Sequence, residues 1–477
     1  MMPTDTNVIC EYTATGKTQD GAEFKATVLR LTRFIAVLEI YDPQIVIRAS
    51  QLLPEFAVSL EDISVYSGRG TVASVINAGP NLICEVKLGE SGLVAGLLPS
   101  PTETGSITTT NFQVFLNHWQ KVYRVLPEFK VVVADMQVFL RDFGRWMDQL
   151  ELECNTTKQQ PSKEAKLDRI RTISQEMAGA FDALHERFEE ISDQIEPDLR
   201  PAHEDFVKRQ LHPLMMCSPF AHRTYRKPLG YAGDYEMVNM ILREPLEGNS
   251  FYAQAVNGWF LRQWPAEAHR NRITYLTDRL CQEALRGERR KKPIRILNLG
   301  CGPAHEILRF LAESDLCQYT DFMLWDFNDE TVERTGRTLE ACRRKYNRTT
   351  NIQVVKKSVH QVLKDGARPG PALNRPQYDY IYCAGLFDYL TDKTCRQIMG
   401  IFYEWLAPHG LLAITNVVDC KPFRNMLEFL LDWHLIYRNT AQGRSLIPST
   451  ANPEYCQILR DTTEVNLMVE VRKPSHG

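Results

Sequence analysis

Ile294-Arg295-Ile296-Leu297-Asn298-Leu299-Gly300-Cys301-Gly302-Pro303-Ala304-His305-Glu306 decides how the rest of the chain is read. Ile294 to Leu299 is a short apolar run with a polar end, the pattern of a parallel strand buried on both faces. Gly300 and Gly302 follow, and Ile307, Leu308 and Leu311 then return at helical spacing. Strand, glycine turn and helix suit a nucleotide-like ligand. Glycine lets the backbone approach closely, and the start of the helix presents free N–H groups. A Gly-x-Gly turn alone is a weak signal, so the other strands must supply its context.

Towards the C-terminus the pattern is βαβ repeated. Strands are expected at 321–325, 352–355, 379–383 and 410–415, with a closing antiparallel region near 434–437 and 465–472. Helices, including 329–346 and 392–406, lie between them. This is a doubly wound, Rossmann-like α/β sheet, which binds ligands at the carboxyl ends of its strands. Asp326 closes the second strand, 24 residues after Gly302, with Phe327 behind it. A carboxylate there can accept from two ribose hydroxyls, or cap the next helix with Asn328 and Asp329. Ser358-Val359-His360 follows the third strand, where an apolar side chain and a polar neighbour could hold a purine. Cys383-Ala384-Gly385-Leu386-Phe387-Asp388-Tyr389-Leu390 follows the fourth. Four loops at one edge of one sheet make the weak motif a strong one.

Towards the N-terminus, Glu288 to Lys292 reads as a charged connector after Gly287. Two helices precede it over 251–286, with Pro265 in the first turn of the second. The stretch 212–245 lacks clean periodicity and reads as a binding loop before a short helix, Met237 to Leu242. It holds His222, Arg223, Arg226, Tyr231 and Asp234. Residues 110–197 are helical: one apolar stripe runs from Phe115 to Leu150, kinked or divided at Pro127. A second helix begins near Ser162, carries a nearly heptad stripe, and is stopped by Pro197. Such stripes are expected to pack between helices, as a linker or dimer seam. Residues 1–100 read as about six short strands, hence a small barrel.

At 477 residues the chain exceeds one core. Its net charge of −3, with cations spread along the chain, argues against a dedicated nucleic-acid binder. No stretch is long and apolar enough for a membrane span. The N-terminus shows no signal pattern. The 12 cysteines are scattered without Cys-x-x-Cys, so reduced thiols, a cytoplasmic location and no metal site are expected.

With those loops in place, residues 294–415 resemble a class I S-adenosylmethionine-dependent methyltransferase. Leu297-Asn298-Leu299-Gly300-Cys301-Gly302-Pro303-Ala304 is similar to the family's first motif and Asp326 to its ribose-binding acid. Ser358-Val359 is similar to the adenine contact, and the Cys383 segment to the fourth motif. The resemblance implies S-adenosyl-L-methionine as cofactor, held by Asn298, Gly300, Gly302, Ala304, Asp326, Phe327, Ser358, Val359, Cys383, Ala384 and Gly385. Asn298 departs from the family's usual acid and Ala304 from its third glycine. Arg226-Lys227-Pro228-Leu229-Gly230-Tyr231-Ala232-Gly233-Asp234-Tyr235-Glu236, with the Cys383 segment, further resembles bacterial enzymes of 3-hydroxypalmitic acid methyl ester synthesis. That implies direct SN2 methylation of a fatty-acid carboxylate to make a quorum signal. The N-terminal strands loosely resemble a PilZ-type barrel. Asp62-Ile63-Ser64 before Gly68 is one residue too long, and Arg30-Leu31-Thr32-Arg33 has the wrong spacing for the cyclic-dinucleotide segment. Packing or dimerisation is the barrel's expected use.

The expected organisation is therefore multi-domain α+β: a degenerate PilZ-like barrel (1–105), a helical linker or dimerisation region (106–200), a helical cap (201–290) and the methyltransferase domain (291–477). A carboxylate is ionised at pH 7 and needs no general base; an amine or phenol does. His222, Arg223, Tyr231 and Tyr389 are expected to steer a small carboxylic acid, with Asp388 or His222 as the base if one is used. Arg226 or Tyr231 is expected on the cofactor's own carboxylate. The alternatives are a base-using methyltransferase of another metabolite or a non-catalytic cofactor sensor. A nucleic-acid or protein methyltransferase is a further rival, disfavoured for nucleic acid because a basic stripe and an Asn/Asp-Pro-Pro-Tyr/Phe loop are missing.

Overall fold

The structure, a computed structural model, describes residues 12–18, 21–32, 34–40, 45–60, 63–77, 82–89, 124–157, 162–367 and 377–475. The chain divides into two compact units: Met1–Val125 with Glu196–Ala202, and Leu126–Ile195 with His203–Gly477.

In the first unit, β1 (Tyr12–Lys17), β2 (Glu23–Leu31), β3 (Ile35–Ile40), β4 (Leu52–Leu60), β5 (Ile63–Asn77) and β6 (Leu82–Leu88) form a closed barrel. The order is β1-β2-β3-β6-β5-β4, with β4 pairing back onto β1. Alternate residues such as Phe24, Leu38, Phe56, Val58, Val72 and Val86 fill the interior, and among the described residues closure pairs each strand on both sides. The strand least visible in the sequence is β4, which carries Pro54. The proline sits where the β4–β5 register shifts between Leu53 and Phe56, a place where its missing N–H is tolerated. Arg33 and Asp62, which carried part of the PilZ resemblance, lie outside the described residues, as do 106–123 and the connection at 78–81.

In the second unit, α1 (Pro127–Thr156) and α2 (Lys163–Asp193) are long helices. Pro127 opens α1 rather than kinking it, because the first turn needs no N–H donor there. Ser162 caps α2 by accepting from the Ala165 N–H. Both helices belong to the same unit as the sheet. The rings of Phe129, Phe188 and Phe429 lie 5.5–6.2 Å apart. The buried Glu189 carboxylate accepts from the Asn425 and Met426 N–H groups at 2.9 and 2.7 Å.

The stretch read as a binding loop from 212 is mostly helical: α3 (Arg200–Met215), α4 (Pro219–Arg226) and α5 (Tyr235–Leu242). Pro213, a breaker in the sequence, lies inside α3, and the non-helical parts are 216–218, 227–234 and 243–245. α6 (Phe251–Leu261) and α7 (Trp264–Arg290) follow. The expected connector after Gly287 is the last turn of α7.

The sheet contains β7 (Ile294–Leu299), β8 (Thr320–Asp326), β9 (Asn351–Lys356), β10 (Tyr378–Cys383), β11 (Leu406–Val417), β12 (Cys456–Arg460) and β13 (Asn466–Arg472). Helices α8 (His305–Glu313), α9 (Asp329–Lys345), α10 (Val359–Gly366) and α11 (Asp392–Trp405) connect the parallel strands. The order is β12-β13-β11-β10-β7-β8-β9. β13 is antiparallel to both β11 and β12, and β7 to β11 are parallel. Residues 434–437 are not a strand, contrary to expectation; β12 takes the edge. The 434–437 backbone is engaged elsewhere: Ile436 N–H donates to the Asp388 carbonyl at 2.7 Å, and Arg438 N–H to that of Val417 at 3.0 Å. Ile296, Ile307, Phe310, Phe322, Leu324 and Tyr380 form the core between α7, α8, α9 and the sheet. Among the described residues no helix is long and apolar enough to cross a membrane.

Candidate functional site

β7 and β10 are neighbours whose following connections run in opposite directions along the sheet. Such a reversal leaves a crevice beyond the strand ends, the usual ligand position in an open α/β sheet. Two loops meet there. A Cβ on Gly300 would lie 3.5 Å from Leu386 Cβ.

After β7, Gly300 (φ +73°) and Gly302 (φ +50°) adopt left-handed conformations. Their N–H groups donate to the Trp325 carbonyl at 2.8 Å and to Asp326 Oδ2 at 3.1 Å. Asp326 Oδ1 accepts from the Asn328 N–H at 3.1 Å, so the carboxylate is oriented from both sides and stands at the mouth of the turn. Ala304, where a third glycine was expected, is buried and holds φ +52°, so the chain keeps a glycine-like backbone there. The first turn of α8 carries Glu306, which is buried. Its Oε1 accepts from Tyr382 Oη at 2.7 Å and from Asn298 Nδ2 at 3.3 Å. Burial pushes its carboxyl pKa up.

After β8, the Phe327 ring lies 5.2 Å from that of Tyr231, which brings the 227–234 loop to the end of β8. After β9, Ser358 forms a capping box with Gln361 at the start of α10, and Val359 is buried. After β10, Cys383 is buried, and Gly385 (φ +83°) donates its N–H to Thr415 Oγ1 at 3.0 Å. Burial pushes the Cys301 and Cys383 thiols up, which suits packing rather than nucleophilic attack. Asp388 is buried, accepts from the Val417 N–H at 2.7 Å, and has its carboxyl pushed up to about 6 by desolvation. Tyr389 Oη accepts from Trp433 Nε1 at 3.0 Å. A Cβ on Gly233 would meet that hydroxyl at 2.5 Å, so the 227–234 loop lies directly on Tyr389.

Tyr231, Asp388 and Tyr389 therefore gather around the crevice with the glycine turns. Arg223 instead makes a two-pronged pair with Asp234, Nε to Oδ1 at 2.9 Å and Nη2 to Oδ2 at 2.8 Å. Asp234 in turn caps α5. His222 and Arg226 are exposed on α4. His305 starts α8 and its Nε2 lies 2.7 Å from Asn239 Oδ1, a positioning contact.

Three residues of the site escaped the sequence reading: Arg272, Glu306 and Arg438. Arg272 lies in α7, and a Cβ on Gly385 would stand 3.0 Å from its Nη1. Arg438 threads the turn after β10, donating to the carbonyls of Phe387 and Leu390, to Asn416 Oδ1 and to Asp392. No glycine motif or strand end flags such residues; Glu306 alone, at a helix start beside the glycine turn, carried a local signal. No group of acidic, histidine or cysteine side chains suited to a metal occurs among the described residues.

No family model matches the chain, and no curated protein matches it. Solved structures that resemble it include a possible exported protein from Bordetella parapertussis, 17% identical over 52% of this chain and 82% of that one, TM-score 0.41. A magnesium protoporphyrin IX methyltransferase from Synechocystis PCC 6803 with bound S-adenosylhomocysteine is 9% identical over 44% of this chain and 87% of that one, TM-score 0.31. The N-methyltransferase NodS from Bradyrhizobium japonicum WM9, in complex with S-adenosyl-L-homocysteine, is 14% identical over 53% of this chain and 99% of that one, TM-score 0.29.

Proposed function

We propose that the second unit is an S-adenosylmethionine-dependent methyltransferase that methylates a small molecule, with a carboxylate oxygen as the acceptor. The observation that carries the donor is Glu306. A dinucleotide site places a pyrophosphate at the helix start after the glycine turn, where free N–H groups attract an anion. Here a buried carboxylate occupies that first turn. It repels phosphate and favours a cation, and S-adenosylmethionine has a sulfonium and an ammonium but no phosphate. Asp326 supplies the acceptor for ribose hydroxyls, and Gly300 and Gly302 keep side chains out of the crevice.

Bound S-adenosylmethionine would supply an already activated methyl group. The chain's own residues orient the acceptor and exclude water, and orientation contributes much of the rate in such transfers. Tyr389, whose pKa is raised by burial, stays a neutral hydroxyl and can donate to an acceptor oxygen. Tyr231 and the 227–234 loop cover the donor. A fatty or hydroxy-fatty acid is the acceptor that the resemblance of segments 226–236 and 383–390 implies.

One observation favours a second reading. Asp388, with its carboxyl raised to about 6, is a stronger base than an ordinary carboxylate and is ionised at pH 7. It could take a proton from an amine or hydroxyl acceptor. Calorimetric titration with S-adenosylmethionine tests the donor; absence of binding overturns both readings. Incubation with a panel of carboxylic acids, including hydroxy fatty acids, then tests the acceptor by mass spectrometry. A methyl ester is expected. If only amines or phenols gain a methyl group, and Asp388→Asn abolishes that transfer, the base-using reading replaces the carboxylate one.

A further inference from the structure

Tyr389 stands in the turn after β10 with its hydroxyl engaged on one side only. Trp433 Nε1 donates to its Oη at 3.0 Å. An indole N–H can only donate, so the phenol oxygen must accept there. The hydroxyl's own hydrogen finds no acceptor among the described residues. Gly233 closes a second side, since a Cβ there would lie 2.5 Å from Oη. Burial pushes the phenol pKa up, so the proton stays on. Tyr389 is nonetheless partly exposed. With its oxygen already accepting and its proton unspent, it can offer a ligand only a donor. Accepting from the indole also strengthens that O–H as a donor.

Trp433 is anchored by the elements that frame the crevice. It is 3% exposed, and its backbone N–H donates to the Leu427 carbonyl at 2.9 Å. Each of the three residues before it is held from elsewhere in the second unit. His212 Nε2 lies 2.8 Å from the Leu430 carbonyl, Lys227 Nζ donates to the Leu431 carbonyl at 3.2 Å, and Lys208 Nζ lies 2.5 Å from Asp432 Oδ1. His212 and Lys208 come from α3. Lys227 opens the loop whose Gly233 lies on Tyr389. The indole therefore meets the phenol in a fixed direction.

The direction of a hydrogen bond discriminates between nucleophiles. An attacking amine commits its only lone pair to the methyl carbon and shows N–H groups alone to its surroundings. A donor-only Tyr389 cannot receive them. A carboxylate carries lone pairs on two oxygens, so one can attack while the other accepts. The attacking oxygen forms the O–C bond as the C–S bond breaks, the bonding pair leaves on sulfur, and no proton moves. A site with a fixed donor rejects a group that cannot receive it, because the donor is then left unpaired. The carboxylate also loses its charge during transfer. The hydrogen bond is thus strongest before the reaction and acts on binding and orientation.

We propose that Trp433 is a positioning residue that fixes Tyr389 as a one-way donor, and that this pair selects a carboxylate acceptor against an amine. This rests on the methyl-donor reading of the site. It deepens that reading by assigning the choice of acceptor to a residue outside the strand-end loops, in the irregular segment between β11 and β12.

The test uses the full chain as wild type, Trp433→Phe, Tyr389→Phe and the double variant. In nitrogen-edited proton NMR the Trp433 indole N–H signal is identified by its loss in Trp433→Phe. It is expected to move upfield in Tyr389→Phe, as the hydrogen bond is lost. Methyl transfer is then measured to 3-hydroxypalmitic acid and to hexadecylamine, an amine of the same chain length. Wild type is expected to methylate the acid and not the amine. Trp433→Phe is expected to bind S-adenosylhomocysteine as wild type does and to raise KM for the acid about fivefold, the loss falling on KM rather than kcat. Its preference for acid over amine is expected to narrow. In the Tyr389→Phe background the Trp433 substitution is expected to add nothing, because it acts through the hydroxyl. An indole signal indifferent to Tyr389→Phe, additive effects of the two substitutions, or an unchanged acid preference in Trp433→Phe overturns the proposal. So does a Trp433→Phe chain that loses S-adenosylhomocysteine, which marks a structural role, and so does transfer to the amine by wild type. A wild-type chain that transfers a methyl group to neither compound overturns the underlying reading instead, so the two failures are distinct.

Discussion

Asp388 is the residue whose environment most alters its own chemistry. Burial raises its carboxyl pKa to about 6, against the opposing pull of Arg272, the Val417 N–H and Arg438. The raised value means that the folded state holds the proton more tightly than the unfolded chain. Its contribution to stability is therefore greatest below the ordinary carboxylate pKa and falls as pH rises to about 6, then levels off. The expected swing is on the order of 3 kcal/mol. Asp388→Asn cannot ionise, so its stability relative to wild type should rise between pH 4 and 7 by roughly that amount. Urea unfolding of both proteins across that range measures it, and a gap independent of pH would contradict a perturbed Asp388. Ala304 makes a different point about single residues. Its left-handed backbone costs about 1 kcal/mol for a residue with a Cβ, while its buried methyl contributes about 0.8 kcal/mol. The two nearly cancel, so Ala304→Gly should lie within about 1 kcal/mol of wild type. Ala304→Val should be destabilised by more than about 2 kcal/mol. Thermal melts of the two variants would separate strain from packing.

At the scale of elements, the turn after β10 is held by a side chain from a distant, irregular segment. Arg438 ties Phe387, Leu390, Asp392 and Asn416 together, and the chain around it also binds the Asp388 and Val417 carbonyls. An apolar run at 434–437 looks like a strand, yet its backbone is committed to this turn, and β12 closes the sheet. Replacing Arg438 by methionine would strand buried carbonyls and an unpaired amide oxygen, at a cost of about 3–5 kcal/mol. A fall of that size in the unfolding free energy, read from the denaturant midpoint and slope, is expected. A variant as stable as wild type would show that Arg438 does not hold the turn.

At the scale of the molecule, the helical pair α1 and α2 belongs with the sheet rather than forming a separate linker. Glu189 satisfies two backbone N–H groups at Asn425 and Met426, and Phe129 and Phe188 cover Phe429. A chain starting at Leu126 should therefore fold and bind S-adenosylhomocysteine as the full chain does. A chain starting at His203 should expose Phe429 and leave those N–H groups unpaired, and lose cooperative unfolding. Circular-dichroism melts and calorimetry on both chains would decide it. Equal behaviour would return α1 and α2 to the status of a linker.

Wherever local periodicity carries the information, the sequence alone was sufficient. The five parallel strands, the glycine turn, Asp326 at the end of β8 and the helix start near Ser162 are all short-range patterns of side-chain type. The barrel was legible for the same reason, except for β4, whose Pro54 breaks the pattern. Tertiary structure alone decided which charged residues are free to act. Arg223, Arg226, Arg272 and Arg438 are indistinguishable as letters. Folding pairs the first with Asp234, exposes the second, leaves the third buried and unpartnered, and saturates the fourth. The physical reason is that a charge's role depends on its desolvation and on partners far away in the chain, neither of which leaves a periodic trace in sequence.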